Sequence, residues 1–586
     1  MNSVEKSLSG NIWKQIASDE RKAEVIYQRY DLPFVVSNIL SARGLSLDEI
    51  ESFLDPKLQT LMPDPHSLKD MDRAAKKIAD VILSPKDIGI IGDYDVDGAT
   101  SSAILRLYLE EVGKNVVVHI PERDEGYGPS KLAFDKFSGL GIDFVVTTDC
   151  GTTAFEPFTY AKEKGFNVIV LDHHEAEVKM PDVYALVNPK RLDEINEVEY
   201  LKFLAAVGVV FMTLVAINRE LRERGFFKNR SEPNLMQYLD LVALGTVCDV
   251  VPLVGLNRAF VKQGLKIIGK RTNLGLKSLI DKANITEAPS AFHLGYVLGP
   301  RINAGGRVGE SFKANELLCS KEESKAIKLA EDLDNFNAQR KEIEAYVYLK
   351  AIEMLESIPQ EFPMAFVHGN DWHQGVIGIV AGKLKERYNV PSFVMSIEND
   401  EVKGSARSIK GVDLGALIIA AKERGVITKG GGHYMAAGFS LREDQMADFE
   451  AFVGNYIKSK LGDEEIVPVI EYDGIIDIEG ATMELSEKLQ VLEPYGASNP
   501  EPKLVVKNVK IAKSSVVGSG HIRCFLTSIK GGSLSAMAFR MADTEAGYAL
   551  LNERGVVFDV LGTLRKDTWQ GRNSLKFIIE DIKRGA

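Results

Sequence analysis

The densest chemistry in the sequence is Asp93-Tyr94-Asp95-Val96-Asp97-Gly98, three carboxylates within five residues, directly after the apolar run in DIGIIGD. Carboxylates this close repel one another, and burying them at the mouth of a sheet is costly unless cations offset the charge. A divalent metal supplies that offset. Farther along stand Asp149-Cys150-Gly151, Asp172-His173-His174 and Cys248-Asp249. Carboxylate oxygens with one or two imidazoles form a hard-to-borderline ligand set, suited to Mn2+ or Mg2+ and poorly suited to a thiolate zinc site. Two ions about 3.5–4 Å apart clamp the attacking and leaving oxygens of an in-line phosphoryl displacement and activate a water between them. The expected chemistry is hydrolysis of a phosphate ester, with one aspartate bridging two ions. An EF-hand reading of the first cluster fails: the twelfth position from Asp93 is Ile104, where a bidentate Glu is required, and a strand rather than a helix precedes the acids.

The elements around these acids must bring them together. From about residue 87 to 190, short β-branched runs alternate with helical stretches: DIGIIGD, TSSAILRLYLEEVG, NVVVHIP, FVVTTD, FNVIVLD and YALVN. This pattern predicts an α/β fold with a doubly wound parallel sheet. Three of the runs end in Asp93, Asp149 and Asp172, and ligands bind outside the carboxyl ends of such strands, so the three acids are expected to converge. Gly98 is read as the residue that lets the chain turn sharply into the next helix.

Residues 1–65 are polar, turn-rich and partly helical, and read as a packing or capping segment. The stretch from Glu310 to Ile358 contains neither Gly nor Pro, and Ser320 with Glu323 has the form of a capping box. A helix from about 321 to 357 would reach roughly 55 Å and connect two lobes. A second, smaller α/β pattern follows Pro359, and beyond Glu464 short strands separated by Gly and Ser suggest a small barrel of the five-stranded OB-fold type. The predicted organisation is a helical segment at 1–65, a catalytic domain at 66–320, a connecting helix at 321–358, a second domain at 359–462 and a barrel at 463–586.

At 586 residues the chain is too long for one core. Its net charge of −12 argues against general coating of nucleic acid and leaves room for a local basic groove. The four cysteines lie far apart and form no CxxC pair, which suggests neither a zinc knuckle nor a disulfide framework and fits reduced thiols in a cytoplasm. The N-terminus lacks the apolar region of a secretory signal, and the longest apolar run, Leu204 to Ile217, is too short to span a bilayer. A cytoplasmic protein without membrane attachment is expected.

In this order and at this spacing, DYDVDG, TTDCGT, DHH and TVCDVVPL resemble the four motifs of the DHH phosphoesterase superfamily. The resemblance implies Asp95 and Asp149 on one Mn2+ or Mg2+ ion and Asp97, Asp149, His173 and Asp249 on the other. Asp93, Asp172 and His174 would then support the ligands or contact phosphate. Gly299-Pro300-Arg301-Ile302-Asn303-Ala304-Gly305-Gly306-Arg307 reads as a glycine-rich turn whose arginines and backbone N–H groups suit phosphate. Gly404-Ser405-Ala406-Arg407-Ser408 and the glycine-rich loop Gly430-Gly431-Gly432-His433, together with DWHQGVIGIVAGKL, resemble the DHHA1 substrate-binding domain.

IPERDEGYG at 120–128, LGPRINAGGR at 298–307 and LEPYGASNPEP at 492–502 are similar to the RecJ branch of that superfamily. This implies an exonuclease that digests single-stranded DNA from 5′ to 3′, releasing 5′-mononucleotides in repair and recombination. Ser405, Arg407 and Arg123 would hold the terminal 5′ phosphate, and Tyr127 would stack near the entrance. Arg301, Asn303, Arg307, Gly431, Gly432 and His433 are further expected substrate contacts. Two segments supply positive charge: residues 401–440 carry six Lys or Arg against three acids, and residues 503–530 carry six against none. Phe525, Phe539 and Trp569 are candidate stacking residues on the barrel. Single-stranded DNA is the expected partner, with a single-strand-binding protein or a helicase as candidate protein partners, and a monomer is expected. Two alternatives are a DHH phosphodiesterase of short oligonucleotides or cyclic dinucleotides, which would not need the barrel, and a scaffold without catalysis, which would not need every metal ligand.

Overall fold

The computed structural model describes residues 6–123, 125–195, 198–357, 362–462, 467–567 and 574–585. Two compact units are present: Pro63–Val251 with Gln263–Ile466, and Met1–Met62 with Pro252–Lys262 and Val467–Ala586.

The second of these begins with strand β1 (Ile12–Gln15) and the helices Glu20–Tyr30, Phe34–Ala42 and Leu47–Leu54. The other unit then opens on a parallel sheet of β2 (Ile88–Gly92), β3 (Val116–His119), β4 (Phe144–Thr148), β5 (Asn167–Leu171) and β6 (Ala185–Val187), in the order β3-β2-β4-β5-β6. Every residue of β2 and β4 is buried, as a sheet covered on both faces by crossover helices requires. The acids therefore follow the three central strands. Helix Val96–Glu111 starts immediately after β2, with Asp95 as its N-cap accepting from Gly98 N at 3.0 Å. Gly98 is not the expected hinge. It lies within the helix, and a Cβ there would sit 2.4 Å from the Asp93 carbonyl oxygen, so glycine serves close approach rather than a turn.

Helices make up the rest of the catalytic region. Ala206–Glu223 and Leu239–Cys248 pack on Val96–Glu111, and a π-helical turn, His293–Leu298, runs directly into Gly299–Val308. The segment expected as a glycine-rich turn is thus a helix. Its glycines carry no positive φ; they admit neighbours, since a Cβ on Gly299 would lie 2.6 Å from Cys248 Sγ and one on Gly306 2.8 Å from Tyr94 O. The connecting helix is unbroken from Glu323 to Ser357, 35 residues and about 52 Å at 1.5 Å per residue. The expected capping box is absent: the Ser320 hydroxyl donates back to Glu316 O at 2.8 Å, and the Glu323 carboxylate accepts from Lys277 at 2.6 Å. Ser320, just past the helix Phe312–Leu318, bonds back to that helix instead.

The smaller α/β domain has β7 (Ala365–Asn370), β8 (Ser392–Glu398), β9 (Glu401–Arg407), β10 (Lys429–His433) and β11 (Ala436–Arg442), in the order β10-β11-β9-β8-β7. The Gly430–His433 segment, expected as a loop, is the edge strand β10. A Cβ on Gly432 would meet Ala436 O at 2.5 Å, so glycine there allows tight pairing with β11.

After β12 (Val469–Tyr472) and β13 (Gly474–Ile476) come β14 (Leu504–Val517), β15 (His521–Thr527), β16 (Ser533–Ala538), β17 (Phe558–Asp567) and β18 (Ser574–Arg584). The order β14-β15-β16-β18-β17, closed by β17 on β14, is a five-stranded barrel of the OB type, with β13 added alongside β14. Its core includes Ile26, Val36, Ile39, Leu40, Ile50 and Phe53 from the N-terminal helices, and β1 pairs in parallel with β12. The N-terminal segment is therefore structural. Arg258 anchors this assembly: fully buried, it donates to the carbonyls of Phe53, Leu492, Glu493 and Pro494. Among the described residues no helix is long and apolar enough to cross a membrane.

Candidate metal centre and phosphate cleft

Asp149 follows β4 at φ 62°, a left-handed conformation that Asp tolerates better than most residues. This turns its carboxylate toward those after β2. His173 follows β5, and its Nδ1 lies 3.0 Å from Leu204 O. A hydrogen bond donated there leaves the Nε2 lone pair facing three carboxylates, Asp149 at 3.4 Å, Asp249 at 3.5 Å and Asp97 at 3.8 Å. Burial, with repulsion from His174, lowers the His173 pKa to about 3, so the ring is neutral and suited to a metal. Asp249 is the C-cap of Leu239–Cys248. Asp97 is held by the first turn of Ala206–Glu223, accepting from Ala206 N at 2.6 Å and Val207 N at 2.9 Å, where the helix dipole favours a negative charge.

Asp93 Oδ1, Asp149 Oδ1 and Asp249 Oδ2 are buried without a hydrogen-bond partner among the described residues. Each such atom costs about 1–3 kcal/mol or more if left unsatisfied, and a hard divalent ion is the partner that three carboxylates and a neutral imidazole fit. Three groupings have ligand atoms within 4.8 Å of one another: Asp93, Asp95 and Asp149; Asp97, His173 and Asp249; and Asp149, His173 and His174. Asp149 stands in two of them. Burial first, then mutual repulsion, raises Asp93 to about 8, Asp97 to about 7 and Asp249 to about 9, and lifts Asp149 well above the carboxylate range.

Asp172 is different. Its Oδ2 accepts from Thr152 N at 2.9 Å and Thr152 Oγ1 at 2.7 Å, and its Oδ1 from His173 N at 2.8 Å and His174 Nδ1 at 2.7 Å. With its lone pairs so engaged, it orients the histidines. Burial works against a charged His174, yet the hydrogen bond and charge of Asp172 outweigh it and raise the ring to about 9. The Tyr127 hydroxyl donates to Asp149 O at 3.0 Å and stands 3.1 Å from His174 Nε2.

Beside the cluster lies a cleft of about 510 Å3 whose lining includes Arg123, Arg307, Lys403, Ser405, Arg407 and Lys429 and, among the described residues, no carboxylate. Arg123 connects the two places: its Nε donates to Gly306 O, and its guanidinium lies 4.5 Å over the ring of Tyr94, between Asp93 and Asp95. Arg307 is tied to the smaller domain through Gly375 O at 2.9 Å. Neither Asn303 nor Gly431, Gly432 or His433 lines this cleft. The guanidinium of Arg301 is committed elsewhere, to Asp334 at 2.9 Å and Val297 O at 2.8 Å, where it links its helix to the connecting helix.

Sequence reasoning missed Thr152 and Asn188, which donates to Thr152 Oγ1 and to His174 O, both at 2.8 Å. It also missed Lys403 and Lys429. Thr152 lies inside the TTDCGT motif; nothing in the sequence marks Asn188.

The acid-bearing sheet and its smaller partner define a protein of the DHH phosphoesterase class. The DHH family, N-terminal domain, matches residues 87–246, and the DHHA1 domain matches residues 360–459. The RecJ OB domain matches residues 472–581. The chain is 35% identical over 503 residues to the single-stranded-DNA-specific exonuclease RecJ of Haemophilus influenzae, covering 83% of this chain and 86% of that protein. It is 31% identical over 576 residues to that of Bacillus subtilis, covering 97% and 70%. The crystal structure of RecJ in complex with Mn2+ from Thermus thermophilus superposes with a TM-score of 0.81 at 26% identity, covering 100% of this chain and 80% of that one. The chain belongs to the RecJ family.

Proposed function

We propose that this protein is a Mn2+- or Mg2+-dependent exonuclease that hydrolyses single-stranded DNA from the 5′ end to 5′-mononucleotides, in DNA repair and recombination. The observation that carries the reading is a carboxylate–imidazole cluster directly beside a cleft lined by Arg123, Arg307, Lys403, Arg407 and Lys429 and, among the described residues, by no acid. Asp95, Asp97, Asp149, His173 and Asp249 would hold the two ions. The orphaned oxygen of Asp93 makes it a further candidate ligand. When bound, the ions supply Lewis-acid stabilisation of the scissile phosphate and lower the pKa of water.

The chain's own residues do the rest. Asp172 keeps His174 protonated and aimed, so that this partly exposed ring can donate to a phosphate oxygen. Ser405, Arg407, Arg123 and Arg307 hold the terminal 5′ phosphate in the cleft, with Lys403 and Lys429 adding to the field. That placement sets the next phosphate against the metal cluster and removes one nucleotide per cycle. The four cysteines are unpaired, which supports a cytoplasmic setting.

The test uses single strands labelled at the 5′ or the 3′ end, duplexes and a cyclic dinucleotide, each with Mn2+, Mg2+ or a chelator. A 5′ label should appear at once as mononucleotide while the 3′-labelled strand shortens stepwise. Release of the 3′ label first, internal cuts, or activity in chelator would overturn the reading.

A further inference from the structure

Two aromatic side chains are exposed at a turn that packs on the end of the helix bearing Asp249. Phe292 is 56% exposed and Tyr296 75% exposed, and their rings stack on each other with centroids 5.2 Å apart and planes 27° apart. Apolar residues four apart on a helix ordinarily face a core; this pair faces water. Tyr296 lies in the π-helical turn His293–Leu298, which Phe292 directly precedes, and such wide turns occur often at functional sites.

The turn packs on the end of the helix that delivers Asp249. Cys248 Sγ donates to Leu294 O at 3.4 Å, and a Cβ on Gly295 would touch Val247 at 3.4 Å. The same stretch continues as Gly299–Val308, passes Tyr94 at Gly306 and ends with Arg307 in the phosphate cleft. Along one continuous helical stretch of about 20 Å the order is therefore aromatic pair, Asp249, Asp93–Asp95 cluster, cationic cleft.

We infer that Phe292 and Tyr296 form a stacking platform for bases of the single strand on the 3′ side of the scissile bond. The inference rests on the proposed function. A strand whose 5′ phosphate occupies the cleft passes the metal cluster and then meets this pair. Aromatic faces hold any base without reading its edge, as an enzyme that shortens strands of any sequence needs. A platform just beyond the cut also keeps the shortened strand in place while the mononucleotide leaves.

The test compares wild type, Phe292→Ala/Tyr296→Ala, Tyr296→Phe and Tyr296→Leu. On a 5′-phosphorylated 12-mer the double alanine variant should raise KM roughly tenfold or more, and the increase should shrink on a 5′-phosphorylated dinucleotide, which is too short to reach the pair. Tyr296→Phe should match wild type, and Tyr296→Leu should fall toward the alanine variant. In chelator, where no cleavage occurs, strands carrying 2-aminopurine at successive positions should show quenching a few nucleotides from the 5′ end with wild type and not with the double variant. Equal KM changes on both lengths, leucine performing as well as phenylalanine, or unchanged quenching would overturn the platform. Wild type that quenches 2-aminopurine but does not digest the strand would instead overturn the proposed exonuclease reading.

Discussion

Replacing Arg407 by alanine isolates the recognition of the strand end. Among the described residues, only Nη1 of this guanidinium has hydrogen-bond partners, Ser405 Oγ at 3.2 Å and Ala406 O at 2.9 Å. Burial lowers its pKa below the ordinary arginine value, and among the described residues no acid lines the cleft to neutralise it. Nε and Nη2 are left to meet a phosphate. Hydrogen bonds to charged groups contribute about 1.5–3 kcal/mol, which at about 1.36 kcal/mol per tenfold corresponds to roughly 10- to 150-fold. Arg123, Arg307, Lys403 and Lys429 remain in the cleft after the substitution, so the lower half of that range, about 30-fold, is expected. Steady-state KM is measured for two strands of one sequence, one with a 5′ phosphate and one with a 5′ hydroxyl. The phosphorylated strand should lose the full factor and the hydroxyl strand little, and Arg407→Lys should recover part of the loss, because an ammonium keeps the charge but not the planar fork. The slope of log KM against log salt should shallow by about 0.7 for the lost contact. An equal loss on both strands would refute recognition of the end by this residue.

Asp149→Ala should nearly abolish hydrolysis in Mn2+ and Mg2+ with an unchanged circular dichroism spectrum; full activity with metal still bound would sink its bridging role. Asp93, Asp97 and Asp249 are raised by burial to about 8, 7 and 9, so the metal-free folded protein binds more protons than the unfolded chain between about pH 4 and 9 and loses stability as pH rises through that window. Mn2+ requires the deprotonated carboxylates, so the gain in Tm on adding Mn2+ should grow from about pH 6 to about pH 9, and a pH-independent gain would contradict it. On the barrel, Lys503 is paired with Glu580 at 2.5 Å, whereas Lys507, Lys510, Lys513 and Arg523 are exposed. Replacing these four by alanine should weaken binding of long strands and shallow its salt slope by up to about 0.7 per phosphate contact, which fluorescence anisotropy would detect. These substitutions are preferable to deleting the barrel, which would strip the N-terminal helices of the core they share.

The sequence by itself determined the elements whose signals are local. A β-branched run ending in aspartate marks both a central parallel strand and the acid at its mouth, and Asp93, Asp149 and Asp172 do lie at the carboxyl edges of β2, β4 and β5. The barrel strands were legible for the same reason, since alternation and turn residues are read within a few positions. Trp569, named as a stacking candidate, lies outside the described residues; Phe525 is half-buried beneath Arg523, and Phe539 is exposed against His521.

Tertiary structure alone decided what depends on residues far apart in the chain. Gly299 and Gly306 read as part of a turn and Gly430 and Gly432 as part of a loop, but neighbours such as Cys248, Tyr94, Ile418 and Ala436 make them points of close approach within a helix and a strand. Arg301 and Arg307 look equivalent in sequence; a carboxylate at Asp334 engages one and the cleft lined by Arg123, Lys403, Arg407 and Lys429 receives the other. Of the carboxylates, Asp172 has its lone pairs engaged by Thr152, His173 and His174, while Asp93, Asp149 and Asp249 each keep a buried oxygen without a hydrogen-bond partner among the described residues. Residue type and spacing could propose a metal site, but only the folded chain shows which oxygens are left for the ion, because hydrogen-bond donors from other strands and helices take the rest.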